Sequence, residues 1–160
     1  MMGAGKSTVG RRLAELANRD FIDTDQLIVN RLGKSIERIF EQYGEQTFRD
    51  HETSIIQSLT PGPNIVSTGG GAIMRAENRE ALSKIGTTIY LRVSKEQLIE
   101  RLKTSRKKRP LLKRDDWETA FQQIFDQRSE LYERCDLIVD LDNLSLEDAA
   151  DRLYKDLNNE

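Results

Sequence analysis

A glycine-rich turn runs straight into a helix at the start of the chain. Gly3-Ala4-Gly5-Lys6-Ser7-Thr8 is followed by Val9, Leu13 and Leu16, which share one face at helical spacing. This is the back half of the phosphate-binding pattern G-x-x-x-x-G-K-[ST], in the context that the pattern requires. Glycines let backbone N–H groups turn inward around phosphate oxygens, and the helix N-terminus behind them favours an anion. On this reading Lys6 reaches the β- and γ-phosphates of a nucleoside triphosphate, and the Ser7 hydroxyl is a ligand for Mg2+. The competing reading is a glycine-rich cap on an ordinary helix. A phosphate loop sits between a strand and a helix, so the motif points to an α/β fold.

The rest of the chain has that texture. Four short β-rich runs, at 21–24, 64–68, 88–93 and 136–140, alternate with longer segments of helical spacing. Ile36, Ile39, Phe40 and Tyr43 share a face. Leu98, Ile99 and Leu102 follow Ser94, whose Gln97 completes a capping-box pattern. A further helix is expected from near Asp115, with Glu118 three residues on, to about Cys135. Ser145 opens a C-terminal helix that carries Leu146, Ala149, Ala150, Leu153 and Leu157. Strands alternating with helices predict a parallel sheet flanked by helices. One compositional break, TSRKKRPLLKR at 104–114, is basic and contains Pro110; it reads as a mobile lid. Residues 1–160 thus read as a single domain carrying that lid.

Charge and cysteine content narrow the function. With 25 Lys+Arg against 27 Asp+Glu the net charge is −2, which argues against a general nucleic-acid binder. The single cysteine, Cys135, excludes an intrachain disulfide or a cysteine-based metal cluster and fits a reducing compartment. No apolar run approaches the length of a transmembrane helix, and the N-terminus has no apolar h-region. The expectation is a cytoplasmic protein that engages neither membrane nor nucleic acid.

Three further clusters carry polar chemistry. Asp23 and Asp25 bracket Thr24 at the end of a short strand, where period-two geometry puts both carboxylates on one side. Strand ends in open α/β sheets form the ligand crevice. One acid could support Mg2+ and the other accept a hydroxyl proton; alternatively they are a helix cap and a solvated turn, with Asp25 capping a helix from Gln26 to Leu32. Gly44-Glu45-Gln46-Thr47-Phe48-Arg49 opens a helix on which Arg49 and Glu52 lie three apart. Such a pair is usually a surface ion pair worth little; functionally, Glu52 would orient Arg49 toward an anionic substrate. Gly69-Gly70-Gly71 follows a strand and permits close backbone approach to a ligand, or is simply a flexible turn.

Together these pieces resemble the shikimate kinase family, within the nucleoside-monophosphate-kinase-like group of P-loop kinases. The resemblance is carried by GAGKST at 3–8, DTD at 23–25, GEQTFR at 44–49, TGGGA at 68–72, KRPLL at 108–112 and QRSELYE at 127–133, in the family's order and spanning almost the whole chain. It implies a three-layer P-loop NTPase fold and transfer of the ATP γ-phosphoryl group to the 3-hydroxyl of shikimate, in aromatic amino-acid biosynthesis, by a monomer. It implies that Gly3 to Thr8 cradle ATP, that Lys6 stabilises the transferring phosphate, and that Ser7 and Asp23 hold Mg2+, Asp23 through water. By the same resemblance Asp25 contacts the substrate hydroxyls as candidate base, and Arg49 and Arg128 hold the shikimate carboxylate. Gly69, Gly70 and Gly71 line the pocket, and Arg109 closes over the phosphates. Arg101 is carried over to the adenine side, with Asn143 in the same region. Rival readings are a kinase for another small polyol acid such as gluconate, and a nucleotide-binding domain without catalysis.

The family pattern has a strand and a first loop glycine ahead of the residues seen here. With the strand order 2-3-1-4-5 implied by the resemblance, that strand is central. Its loss would separate strands two and three from strands four and five. The expectation is that Met1 is not the natural start and that about ten more residues precede it, with Met1 and Met2 then interior loop residues.

Overall fold

The four expected strands form within one residue of their expected ends. The computed structural model describes residues 1–105 and 109–158; Arg106, Lys107 and Lys108 of the expected lid lie outside the described residues. In chain order the elements are α1 (Lys6–Ala17), β1 (Asp20–Asp23), α2 (Thr24–Leu32), α3 (Ile36–Ser58), β2 (Asn64–Ser67), α4 (Ala76–Ile85), β3 (Ile89–Arg92), α5 (Lys95–Ser105), α6 (Trp117–Tyr132), β4 (Leu137–Asp140) and α7 (Leu146–Asn158). Short 3-10 turns occupy Ala72–Met74 and Pro110–Leu112.

The strands pair in parallel, as the alternation predicts. β1 lies beside β2, with Asp20 opposite Asn64 and Asp23 opposite Ser67. β3 lies beside β4, with Ile89 opposite Leu137 and Arg92 opposite Asp140. Among the described residues no ladder joins the two pairs. The register matters for function. It aligns the carboxyl ends of β1 and β2, so the DTD segment and the glycine triplet leave the sheet side by side.

The main core gathers Val9 and Leu13 of α1, Tyr90 and Leu91 of β3, Leu98 and Leu102 of α5, Phe121 of α6 and Leu153 of α7, with Met1 and Met2 buried among them. A smaller cluster, Ile28, Ile39, Phe48 and Ile55, holds α2 against α3. α3 bends sharply at Gly44, whose φ of 80° lies in the left-handed region. Helix faces read at 3.6 spacing pack largely where the periodicity put them, except that Tyr43, expected on the face of Ile36, Ile39 and Phe40, is 46% exposed.

Two helix starts after β3 differ from expectation. The Ser94–Gln97 capping box does not form, because the Ser94 N–H donates instead to the Asp142 carboxylate at 2.9 Å, tying α5 to the loop after β4. α6 begins at Trp117 rather than near Asp115, and the Asp116 carboxylate is engaged by Arg114 (2.6 Å) instead of capping the helix. Ser145 does open α7, accepting from Asp148 N at 3.0 Å. Within the expected 104–114 lid, Leu112 is buried, and Lys113 reaches Glu37 and Glu41 of α3 at 2.8 and 3.2 Å. No helix among the described residues is long and apolar enough to cross a membrane.

Candidate active site

The N-terminal loop has the geometry of a phosphate cradle. Gly3 and Gly5 have φ of 81° and 87°, values that other residues rarely adopt. α1 starts directly after Gly5, whose carbonyl accepts from the N–H groups of Thr8 and Val9 at 3.1 and 3.0 Å. Its first turn holds no acidic residue, so the positive end of the helix is open to an anion. Ala4 is fully buried beneath the loop, and Thr8 faces solvent. Lys6 folds back over the turn and donates to the Met1 carbonyl at 2.8 Å. Burial and the nearby Arg109 lower its pKa to about 8. Arg101, from α5, donates to the Gly3 carbonyl at 3.5 Å, which brings it to the rim of the loop.

The two aspartates divide their work. Asp23, not Asp25, caps α2: its Oδ1 accepts from the N–H groups of Asp25 and Gln26 at 3.0 and 3.3 Å. The reason is that α2 begins at Thr24, two residues earlier than expected, so the residue with extended backbone ahead of it is Asp23. The other Asp23 oxygen accepts from Ser7 Oγ at 2.8 Å. Two hard oxygens thus meet at the helix N-terminus, the donor chemistry that suits Mg2+ shared with phosphate and water rather than an all-protein cage. No group of three His, Cys, Asp or Glu side chains able to hold a metal occurs among the described residues. Asp25 is left free of capping. Burial, with Asp23 and Glu52 adding repulsion, raises its pKa to about 6, and its Oδ1 is buried without a partner.

The glycine triplet is where the remaining side chains converge. A Cβ on Gly69 would lie 2.6 Å from both Asp25 Oδ1 and Glu52 Oε1, and one on Gly71 would collide with the Arg49 guanidinium. Close approach, rather than flexibility, is therefore what these glycines supply. The Gly70 carbonyl accepts from Arg128 Nη1 at 3.1 Å and from the Tyr132 hydroxyl. Arg49 and Glu52 are joined at 2.7 Å, with the Glu52 side chain fully buried. The usual surface ion pair is thus ruled out here, because the triplet covers the helix face that carries them. Burial acts against the Arg49 charge, but Glu52 and Glu45 together outweigh it and raise the pKa of that guanidinium. Arg128, 5% exposed, and Arg109 are both pushed down by burial.

Among the described residues, four of the buried side-chain atoms without hydrogen-bond partners belong to this one neighbourhood: Asp25 Oδ1, Glu52 Oε1, Arg109 Nε and Arg128 Nε. Buried polar groups are nearly always satisfied, so such a concentration marks the seat of a polar ligand. Two residues here carried no expected role. Tyr132 is four residues after Arg128 on the same helical face, a spacing that could have flagged it. Asn78, fully buried, donates to the Ala72 carbonyl at 2.9 Å and fixes the turn after the triplet; nothing in the sequence marked it.

A phosphate cradle with a lysine and an open helix end lies on one side, and a carboxylate faced by two arginines lies on the other. Fold and site together define a P-loop phosphotransferase with a seat for a small anionic acceptor. The shikimate kinase family model matches residues 2–158. The chain is 46% identical over 154 residues to the shikimate kinase of Xanthomonas campestris pv. campestris (strain 8004), covering 95% of this chain and 85% of that one. It is 42% identical over 156 residues to that of Legionella pneumophila (strain Corby), covering 96% and 89%. Among solved structures it is similar to the shikimate kinase from Acinetobacter baumannii in complex with shikimate, with a TM-score of 0.92 at 38% identity over 99% of this chain and 90% of that one. A second, from Aquifex aeolicus, gives 0.82 at 29% identity over 99% and 92%. The chain belongs to the shikimate kinase family.

Proposed function

We infer that this chain transfers the γ-phosphoryl group of ATP to the 3-hydroxyl of shikimate. The observation that carries the reading is the convergence of Asp25, Arg49 and Arg128 on the glycine triplet. Shikimate has one carboxylate and several hydroxyls. Two arginines offer bidentate donors to the carboxylate, and an unpartnered aspartate oxygen accepts from a hydroxyl.

The geometry supports the following roles. Gly3 to Thr8 wrap the phosphates with backbone N–H groups, and Lys6 neutralises charge on the transferring group. Ser7 and Asp23 would hold Mg2+, which would supply charge neutralisation to the transferring phosphate. Asp25 orients the acceptor hydroxyl and takes its proton; with a pKa of about 6 it is ionised at neutral pH yet basic enough to serve. Arg49, braced by Glu52, and Arg128, aimed by Gly70, position the carboxylate. Gly69, Gly70 and Gly71 line the pocket through their backbone. Arg109, in the middle of the 104–114 lid, adds positive charge over the phosphates, and Arg101 borders the nucleotide on the adenine side. Phosphoryl transfer needs positioning and charge neutralisation more than covalent chemistry, which is what this set provides. We read residues 1–160 as one catalytic domain acting as a cytoplasmic monomer, and the net charge of −2 speaks against a general nucleic-acid partner.

ADP release coupled to a spectrophotometric readout tests the reading. Release that depends on shikimate, and not on gluconate or other polyol acids, is expected. ADP release with gluconate but not shikimate would overturn the substrate, and nucleotide binding without acceptor-dependent release would overturn the activity.

A further inference from the structure

We propose that Arg75 is a positioning residue for the acceptor site, acting through Arg49. Arg75 lies between the 3-10 turn that follows the glycine triplet and the start of α4. Its side chain turns toward α3 rather than to solvent. Nη1 donates to the Arg49 carbonyl at 3.1 Å and to Thr53 Oγ1 at 3.0 Å, and Nη2 donates to Asp50 Oδ1 at 2.6 Å. The planar guanidinium therefore grips three points on one turn of the helix that carries Arg49 and Glu52.

Arg49 is thereby held twice by one stretch of chain. Gly71 sits against its guanidinium, and four residues later Arg75 binds its main-chain carbonyl. The first contact sets how near the side chain lies to the triplet. The second fixes the height and rotation of the helix turn from which that side chain springs. With Glu52 locked to Arg49 at 2.7 Å, the brace carries to both charged groups. Arg75 is one-quarter exposed; three of its five N–H groups donate to α3, and Nη1 also lies 3.8 Å from the Glu77 carboxylate, so its charge is held at the helix rather than offered to the acceptor. Loss of the brace lets the turn shift, and a bidentate arginine–carboxylate contact tolerates little displacement.

The inference rests on the reading that Arg49 holds the acceptor carboxylate, and the experiment separates the two. Steady-state kinetics are measured on Arg75→Ala, Arg75→Lys, Arg49→Ala and the Arg49→Ala/Arg75→Ala double variant, with circular dichroism to verify folding. Arg75→Ala should raise the shikimate KM on the order of tenfold, the weight of one charge-assisted hydrogen bond, with the ATP KM unchanged and kcat changed far less. Arg75→Lys, which can keep the Arg49 or Asp50 hydrogen bond, should recover part of the loss. In the Arg49→Ala background, Arg75→Ala should add nothing further to the shikimate KM. If Arg75→Ala leaves the shikimate KM at the wild-type value, or raises both substrates' KM together, or adds its full effect in the Arg49→Ala background, the brace is refuted. If Arg49→Ala itself leaves the shikimate KM unchanged, the carboxylate reading fails instead. Should Arg75→Ala not fold, Arg75→Lys and Asp50→Ala carry the same comparison.

Discussion

The Arg49 guanidinium occupies the space in which a side chain at Gly71 would begin. A methyl group there must push the guanidinium away, and Arg49 is held from behind by Glu52 at 2.7 Å and Glu45 at 3.0 Å, so it cannot yield freely. Gly71→Ala is therefore expected to raise the shikimate KM by about tenfold or more, since a displacement near 1 Å can cost up to ~10²-fold. The ATP KM should stay close to wild type. Initial-rate kinetics with each substrate varied in turn decide it: an unchanged shikimate KM would mean that Arg49 does not contact the acceptor.

Arginine is required at 49 and 128 for its shape as well as its charge. Each guanidinium is already committed on one side, Arg49 to Glu52 and Arg128 to the Gly70 carbonyl, and must present its remaining donors to a planar carboxylate. Lysine offers a point charge without the fork. Arg49→Lys and Arg128→Lys should each show a strongly raised shikimate KM, recovering little over the alanine variants. Recovery to near wild type would reduce both residues to general positive charge.

Much of this site was legible in the sequence because its parts are local motifs. The phosphate loop, the DTD segment and the triplet each sit at a strand or helix end, and the strand ends were themselves readable from β-rich runs. What local patterns missed was tertiary. Arg49 and Glu52 look like an ordinary i,i+3 surface pair until β2 and the triplet fold over them. Asp23 and Asp25 are equivalent in the sequence, and only the start of α2 at Thr24 decides which one caps and which stays free. The Ser94 box failed because Asp142, distant in sequence, competes for the same N–H. Arg75 left no trace, since its partners on α3 are 22 to 26 residues away.

Arg109 should separate turnover from acceptor binding. Its charge is balanced by Asp25 and set against Lys6, and its Nε has no partner among the described residues. Arg109→Ala is expected to lower kcat, by around 10³-fold if it works as an arginine finger, with little change in the shikimate dissociation constant measured by calorimetry. Lost shikimate affinity with kcat intact would move Arg109 from the phosphates to the acceptor.

Asp25 should trade stability for activity, with a defined pH dependence. In the protein freed of nucleotide and metal its pKa is raised to about 6, with burial the largest cause. An unfolded chain has it near ~3.9. Between those values the folded state holds the extra proton, so stability falls as pH rises through this window and remains lowered above about 6. The ionised carboxylate thus opposes folding at neutral pH. Asparagine has nearly the same shape and no charge, so Asp25→Asn should melt higher than wild type at pH 7.5 in EDTA. Each kcal/mol relieved shifts Tm by roughly 2–4 °C in a chain of this size. The difference should close as the pH is lowered toward 4, where wild-type Asp25 is itself neutral. Over the same substitution turnover should drop by about 10²–10⁴-fold, the usual weight of a general base, while ATP binding holds. Differential scanning fluorimetry across pH and a coupled assay measure the two sides. A variant that melts lower than wild type at pH 7.5, or that keeps its turnover, would remove Asp25 from the role of buried base.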